Sequence, residues 1–344
     1  MKFNGIISFF CKFVLSSFIA FLLLNLVTYF YSNIPVHSDN PTGATDYTWQ
    51  KNKRYFRETE GHSFGVTDDE GFNNPKALYK GEIDVLIMGS SQYEGFVVMP
   101  EENLAVKLGQ KLKNLPKKLS VYNIAISGHI FTRQVNNLER AIKYYQPKYI
   151  VLELSSFNMD PEEMRLASSG ELSRLPSFSR GLIGTLQEIP FLRVFNSQIK
   201  AAMNDTENDI VAVNDSKKQG GVNLSDPAIK NGLDMLINRI VSITSENNIK
   251  PIIVYHPAVT LSKMGKLSFI SDDATFSYFK NYFSKNNITV LDIRKKVLEA
   301  YKKTYTLPYG FWNSPVGQGH LNKYGHALTA KSLFAEIKKE ENKK

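Results

Sequence analysis

The chain has 344 residues, 42% of them hydrophobic, and a formal charge of +9. That is enough apolar material to build one large core or two small ones. Its lysines are scattered, with no arginine-rich or basic-aromatic run, which argues against nucleic acid as a partner. The single cysteine, Cys11, excludes an intrachain disulfide, and the bulky Phe9 and Phe10 before it exclude a lipidated cysteine.

Residues 13–31 are almost wholly apolar and long enough to cross a bilayer. Lys2 and Lys12 precede this run, and few positive charges follow until Lys51, Lys53 and Arg54. That asymmetry predicts a single-pass cell-membrane protein with an inside amino terminus and its body outside, periplasmic or extracellular. No small-residue cleavage site follows the run, because Thr28-Tyr29-Phe30-Tyr31 is bulky, so an uncleaved anchor over 1–35 is expected. Residues 36–80 are polar and rich in Gly, Asp and Asn; they read as a membrane-proximal connector with little regular structure.

The pattern then changes. Short apolar runs at 83–88, 119–125, 149–154, 252–255 and 289–292 read as strands. Helical spacing at 101–112, 132–145, 228–247, 277–286 and 322–339 alternates with them. This predicts an α/β domain over 81–340, a three-layer α/β/α sandwich on a mainly parallel five-stranded sheet. A long interruption at about 160–226 contains a possible short helix at 190–203; so long a loop reads as a lid or a disordered insert.

Candidate chemistry lies at the strand ends. Gly89-Ser90-Ser91 closes the first strand just before a helical segment, where an open α/β sheet places reactive groups. Ser91 is the candidate nucleophile, and a tight turn with a capping serine is the plainer alternative. His320, in Gly317-Gln318-Gly319-His320 before the last helix, is the candidate base, since its ring titrates near neutrality. Gly128 after the second strand and Asn158 after the third are candidate oxyanion donors, each worth about 3–4 kcal/mol where such a group has been removed. His256 ends the fourth strand and Trp312 precedes the histidine loop; both are candidate substrate contacts, with structural roles as the plainer reading. The histidines lack ligand spacing with acids and no phosphate-binding glycine loop occurs, so neither a metal nor a cofactor is expected.

These blocks, Gly89-Ser90-Ser91, Gly128, Asn158 and His320, stand in the order found in the SGNH (GDSL-like) hydrolase superfamily, which the chain resembles from about Gly71 to Ala335 apart from the insert. The flanks, Asp69-Glu70-Gly71-Phe72-Asn73 and Glu94-Gly95-Phe96-Val97-Val98, resemble those of membrane-tethered envelope members. The resemblance implies a flavodoxin-like sheet, Ser91 as nucleophile, His320 as base, Gly128 and Asn158 as oxyanion donors, and an acylated glycan or lipid as substrate. Two positions depart from the pattern. Ser90 stands where the family usually has Asp, a change also found in proteins resembling the D-alanine transfer protein of teichoic-acid modification. Gly317 stands where the triad acid is expected, three residues before the histidine. Three explanations remain open: a Ser–His dyad with a backbone carbonyl holding the ring, a substitute such as Asp292 or Asn313, or an inactive site that binds or helps assemble envelope polysaccharide.

Overall fold

Five parallel strands form the centre of the protein: β6 (Val85–Met88), β7 (Val121–Asn123), β8 (Tyr149–Leu154), β9 (Lys250–Tyr255) and β12 (Thr289–Asp292). Between β9 and β12 the chain forms a separate antiparallel pair, β10 (Val259–Leu261) and β11 (Leu267–Phe269). The spatial order of the central strands is β12-β9-β8-β6-β7, so the winding direction reverses between β6 and β8. Ligands bind at such switch points because adjacent connections leave on opposite faces and open a crevice. The computed structural model describes residues 2–58, 60–75, 81–157, 159–172, 189–192, 194–195 and 224–343.

Strand β6 reads Val-Leu-Ile-Met and is buried at every position, as a central parallel strand covered on both faces must be. Its even and odd positions feed two separate cores. Leu86 and Met88 belong to the core that α4 (Phe131–Tyr145), α5 (Pro161–Ser169), α6 (Pro227–Glu246) and α7 (Asp273–Lys285) cover. Val85 and Ile87 belong to the core that α3 (Leu104–Leu112), α8 (Arg294–Thr304) and α9 (Lys323–Glu341) cover. The expected three layers are present. The insert begins differently from expectation: α5 is ordered from Pro161, with Asp160 capping it and Met164 and Ala167 buried. Most of the remaining insert, 173–188 and 196–223, lies outside the described residues.

The first helix, α1 (Lys2–Tyr31), contains an apolar stretch, Ile6–Tyr31, long and apolar enough to cross a membrane. At 1.5 Å per residue its 26 residues extend about 39 Å.

The connector is the main correction to the sequence reading. Residues 32–66 form two small antiparallel sheets, β1 (Ser32–Asn33) with β4 (Arg54–Arg57) and β5 (Ser63–Val66), and β2 (His37–Asp39) with β3 (Tyr47–Trp49). Tyr55, Trp49 and Phe72 are buried, and Phe96 meets the first two edge-on. Strands of two to four residues between turn-forming residues give no alternation long enough to read from sequence. Their aromatic side chains nonetheless make them part of the core.

Candidate active site

The turn after β6 is held from the neighbouring strand. Glu153, buried in β8, accepts the Ser90 amide at 2.6 Å and the Ser90 hydroxyl at 2.9 Å. Ser90 in turn accepts the Gln92 amide and so caps α2 (Ser91–Glu94). A Cβ on Gly89 would stand 2.5 Å from Glu153 Oε2, so only glycine lets the carboxylate reach under the turn. Ser90, where the resembled superfamily usually has Asp, is therefore a capping serine bonded to a carboxylate from the next strand. Ser91 follows as the first residue of α2 and is half-buried.

His320 is brought to this helix by Gln92. The Gln92 side chain accepts the Leu321 amide at 2.7 Å and donates to Gly319 O at 3.4 Å, bracketing the histidine in sequence. Asn322 fixes the loop from the other side: it caps α9 and donates to Leu307 O and Gly310 O. The Ser91 and His320 regions, 229 residues apart in sequence, thus share the carboxyl end of the sheet.

A carboxylate does meet the His320 ring, that of Glu60. Its Oε2 lies 2.5 Å from His320 Nδ1, and its Oε1 accepts the His320 amide at 2.6 Å. A carboxylate on Nδ1 fixes the tautomer and leaves Nε2 to take a proton. Partial burial acts to raise the Glu60 pKa. Hydrogen bonds from the His320 ring and amide, with the charges of His320 and Arg57, outweigh it and hold the carboxyl below its usual range. Gly319 makes room for this contact. Its φ is +85°, and a Cβ there would stand 2.0 Å from Glu60 Oε1.

Neither predicted substitute touches His320. Asp292 forms a forked pair with Arg294 at the end of β12. Asn313 instead clamps the turn that carries Glu60: it accepts the Gly61 amide at 2.7 Å and donates to Glu58 O at 2.7 Å and Gly61 O at 3.1 Å.

Gly128 has φ +86°, and no hydrogen bond ties its amide, or that of Ser91, among the described residues. The turn before it is held by Glu94, which accepts the Ser127 amide at 3.0 Å, the Ser127 hydroxyl at 2.6 Å and Trp49 Nε1 at 2.6 Å. Burial raises the Glu94 pKa against those bonds. Asn158 lies outside the described residues. His256 is buried beneath the site, not open to it: Nδ1 meets the Tyr309 hydroxyl at 3.0 Å and the ring stacks on Tyr93. Its Nε2 lies 3.3 Å from Glu153 Oε1, out of line for a hydrogen bond. Trp312 is 82% exposed on the loop before His320.

No protein-family profile and no curated protein sequence matches the chain. Solved structures give distant likenesses. An esterase, EstA, from Pseudoalteromonas sp. aligns at 12% identity and TM-score 0.43, covering 76% of this chain and 100% of the other. A putative lipolytic protein of the G-D-S-L family from Desulfitobacterium hafniense aligns at 12% and 0.37, covering 74% and 99%. A putative GDSL-like lipase from Parabacteroides merdae aligns at 13% and 0.40, covering 76% and 98%. Residue roles in this chain rest on its own geometry.

Proposed function

We propose that the chain is a membrane-anchored, externally facing SGNH-type serine esterase or O-acyltransferase acting on acyl groups of an envelope glycan or lipid. The observation that carries this reading is the Glu60–His320 pair beside the helix that begins at Ser91. An acid on Nδ1 of a histidine, on a loop bonded to the helix that a serine begins, suits acyl transfer.

In this scheme Ser91 Oγ attacks the ester carbonyl carbon and its proton passes to His320 Nε2. The Ser91 and Gly128 amides, with Asn158 as the family resemblance implies, hold the oxyanion. As the tetrahedral adduct collapses, His320 returns the proton to the leaving alkoxide and an acyl-Ser91 remains. Water or a sugar hydroxyl then attacks the acyl carbon and gives its proton to His320. On collapse His320 passes that proton to Ser91 Oγ, which leaves as the hydroxyl, and the carboxylic acid or the new ester is released. Glu60 stays ionised throughout and stabilises the imidazolium. A binding-only role rests on the empty acid position at Gly317; the Glu60 carboxylate on the His320 ring favours catalysis instead.

The test is hydrolysis of p-nitrophenyl acetate by the full chain in detergent. The expected result is turnover that Ser91→Ala and His320→Ala each abolish with the fold intact. Turnover unchanged in Ser91→Ala refutes the nucleophile.

A further inference from the structure

The connector that supplies Glu60 also meets the end of α1. The Glu58 amide donates to Tyr31 O at 3.0 Å, and β1, which continues from α1, pairs with β4 at Ser32↔Arg57 and Asn33↔Phe56. From Glu58 to Glu60 is two residues, at most roughly 7 Å of chain. The Glu60–His320 contact therefore stands on the order of 10 Å from the end of the apolar helix, against a headgroup layer about 6 Å thick.

The surface around this junction is apolar and aromatic. Phe56 packs on Tyr29 and Phe30 of α1, and Phe64 of β5 stacks on Phe56 while remaining 47% exposed. The loop clamped to Glu58 and Gly61 by Asn313 carries Trp312, 82% exposed, and Val316, 72% exposed. Rings of this kind concentrate where a protein meets the membrane–water interface.

A second contact ties the insert to the apolar helix. Asn25, a polar residue inside the apolar stretch, accepts the Phe191 amide of the insert at 3.2 Å, and Phe191 meets Phe21 edge-on. Asn25 lies six residues before Tyr31, about 9 Å back along the helix, a depth that the anchored reading puts within hydrocarbon. An amide at that depth needs an acceptor, and the Asn25 side chain supplies it while its own NH2 donates to Phe21 O at 2.9 Å within α1.

We propose that the Trp312 loop rests in the interfacial layer of the same bilayer that α1 crosses, so that the Ser91–His320 site faces acyl groups carried by membrane lipids. This rests on the anchored reading given above and narrows its substrate class to membrane-borne esters.

The chain has two tryptophans; Trp49 is buried and bonded to Glu94, and Trp312 is exposed. The full chain is reconstituted into phosphatidylcholine vesicles with brominated or ordinary acyl chains, and tryptophan emission is compared. Brominated lipid is expected to quench the wild-type emission and to leave the remaining Trp49 emission of Trp312→Phe unchanged. Equal emission from both lipids in the wild-type chain, or equal quenching in Trp312→Phe, overturns the proposal. Because the readout needs no turnover, Ser91→Ala is expected to be quenched like the wild type. An inactive enzyme that is still quenched therefore counts against the catalytic reading alone.

Discussion

Replacing Glu60 with glutamine is the sharpest perturbation of the site, because it removes one charge while keeping the shape. The carboxylate receives two bonds from the same residue, the His320 ring at 2.5 Å and its amide at 2.6 Å. The amide keeps one oxygen for the backbone bond and then offers Nδ1 an NH2 group, which favours the tautomer with its proton on the nitrogen that must act as base. In the serine-protease template, the corresponding acid-to-amide change costs about 10⁴-fold in kcat, roughly 5.5 kcal/mol. The proposed triad role predicts the same cost here, because the contact to Nδ1 is of the same kind. The assay is kcat/KM on p-nitrophenyl acetate, with circular dichroism to confirm the fold. Glu60→Asp keeps the charge on a shorter arm and is expected to fall between the two. A Glu60→Gln enzyme within about tenfold of wild type refutes Glu60 as the triad acid.

Gly319→Ala is expected to lower activity about as far as Glu60→Gln, since its Cβ takes the place of the carboxylate, and the left-handed backbone adds roughly 1–2 kcal/mol of strain; kinetics and a melting curve check both. Glu153→Ala strands the Ser90 amide and hydroxyl and is expected to cost about 2–3 kcal/mol in stability, read by urea unfolding, along with most of the activity. Stability is also pH-dependent through His326, which burial, with repulsion from His256 and His320, lowers to about 3. The folded pKa lies below the unfolded value of 6.5, so the unfolded chain binds the proton first. The contribution is whole above pH 6.5 and is lost as pH falls towards 3, on the order of 5 kcal/mol in all. His129, lowered by burial to about 3, adds to the same slope. Denaturant midpoints between pH 7 and 4 measure it; His326→Gln flattens the curve if this residue is responsible.

Much of the domain was legible because its signals are local. Four-residue apolar runs such as 85–88 are bounded by turn formers, and Asn322 announces α9 as a cap. Serine, glycine and histidine at successive strand ends could be placed together because a doubly wound sheet brings those ends to one edge. Glu60 was not legible. It lies 260 residues from His320 in a stretch whose composition reads as loop, and its strands are too short to show alternation. The only trace was indirect: a histidine loop with glycine at 317 and 319 has no acid of its own and leaves space for one. The hairpin turn Glu60-Gly61-His62 between Arg54–Arg57 and Ser63–Val66 was the matching half, recognisable only once the two are seen in contact. His256 misled for the opposite reason. Its strand-end position is the active face, but the Tyr93 and Tyr309 rings that bury it come from distant elements.

Treating the full chain with a fluorophosphonate and mapping the adduct by mass spectrometry examines the serine chemistry without assuming a substrate. The expected outcome is a single phosphonylated peptide carrying the label on Ser91, formed slowly or not at all in Glu60→Gln and His320→Ala. A folded protein that forms no adduct, or one labelled at another residue at the same rate, would contradict the assignment.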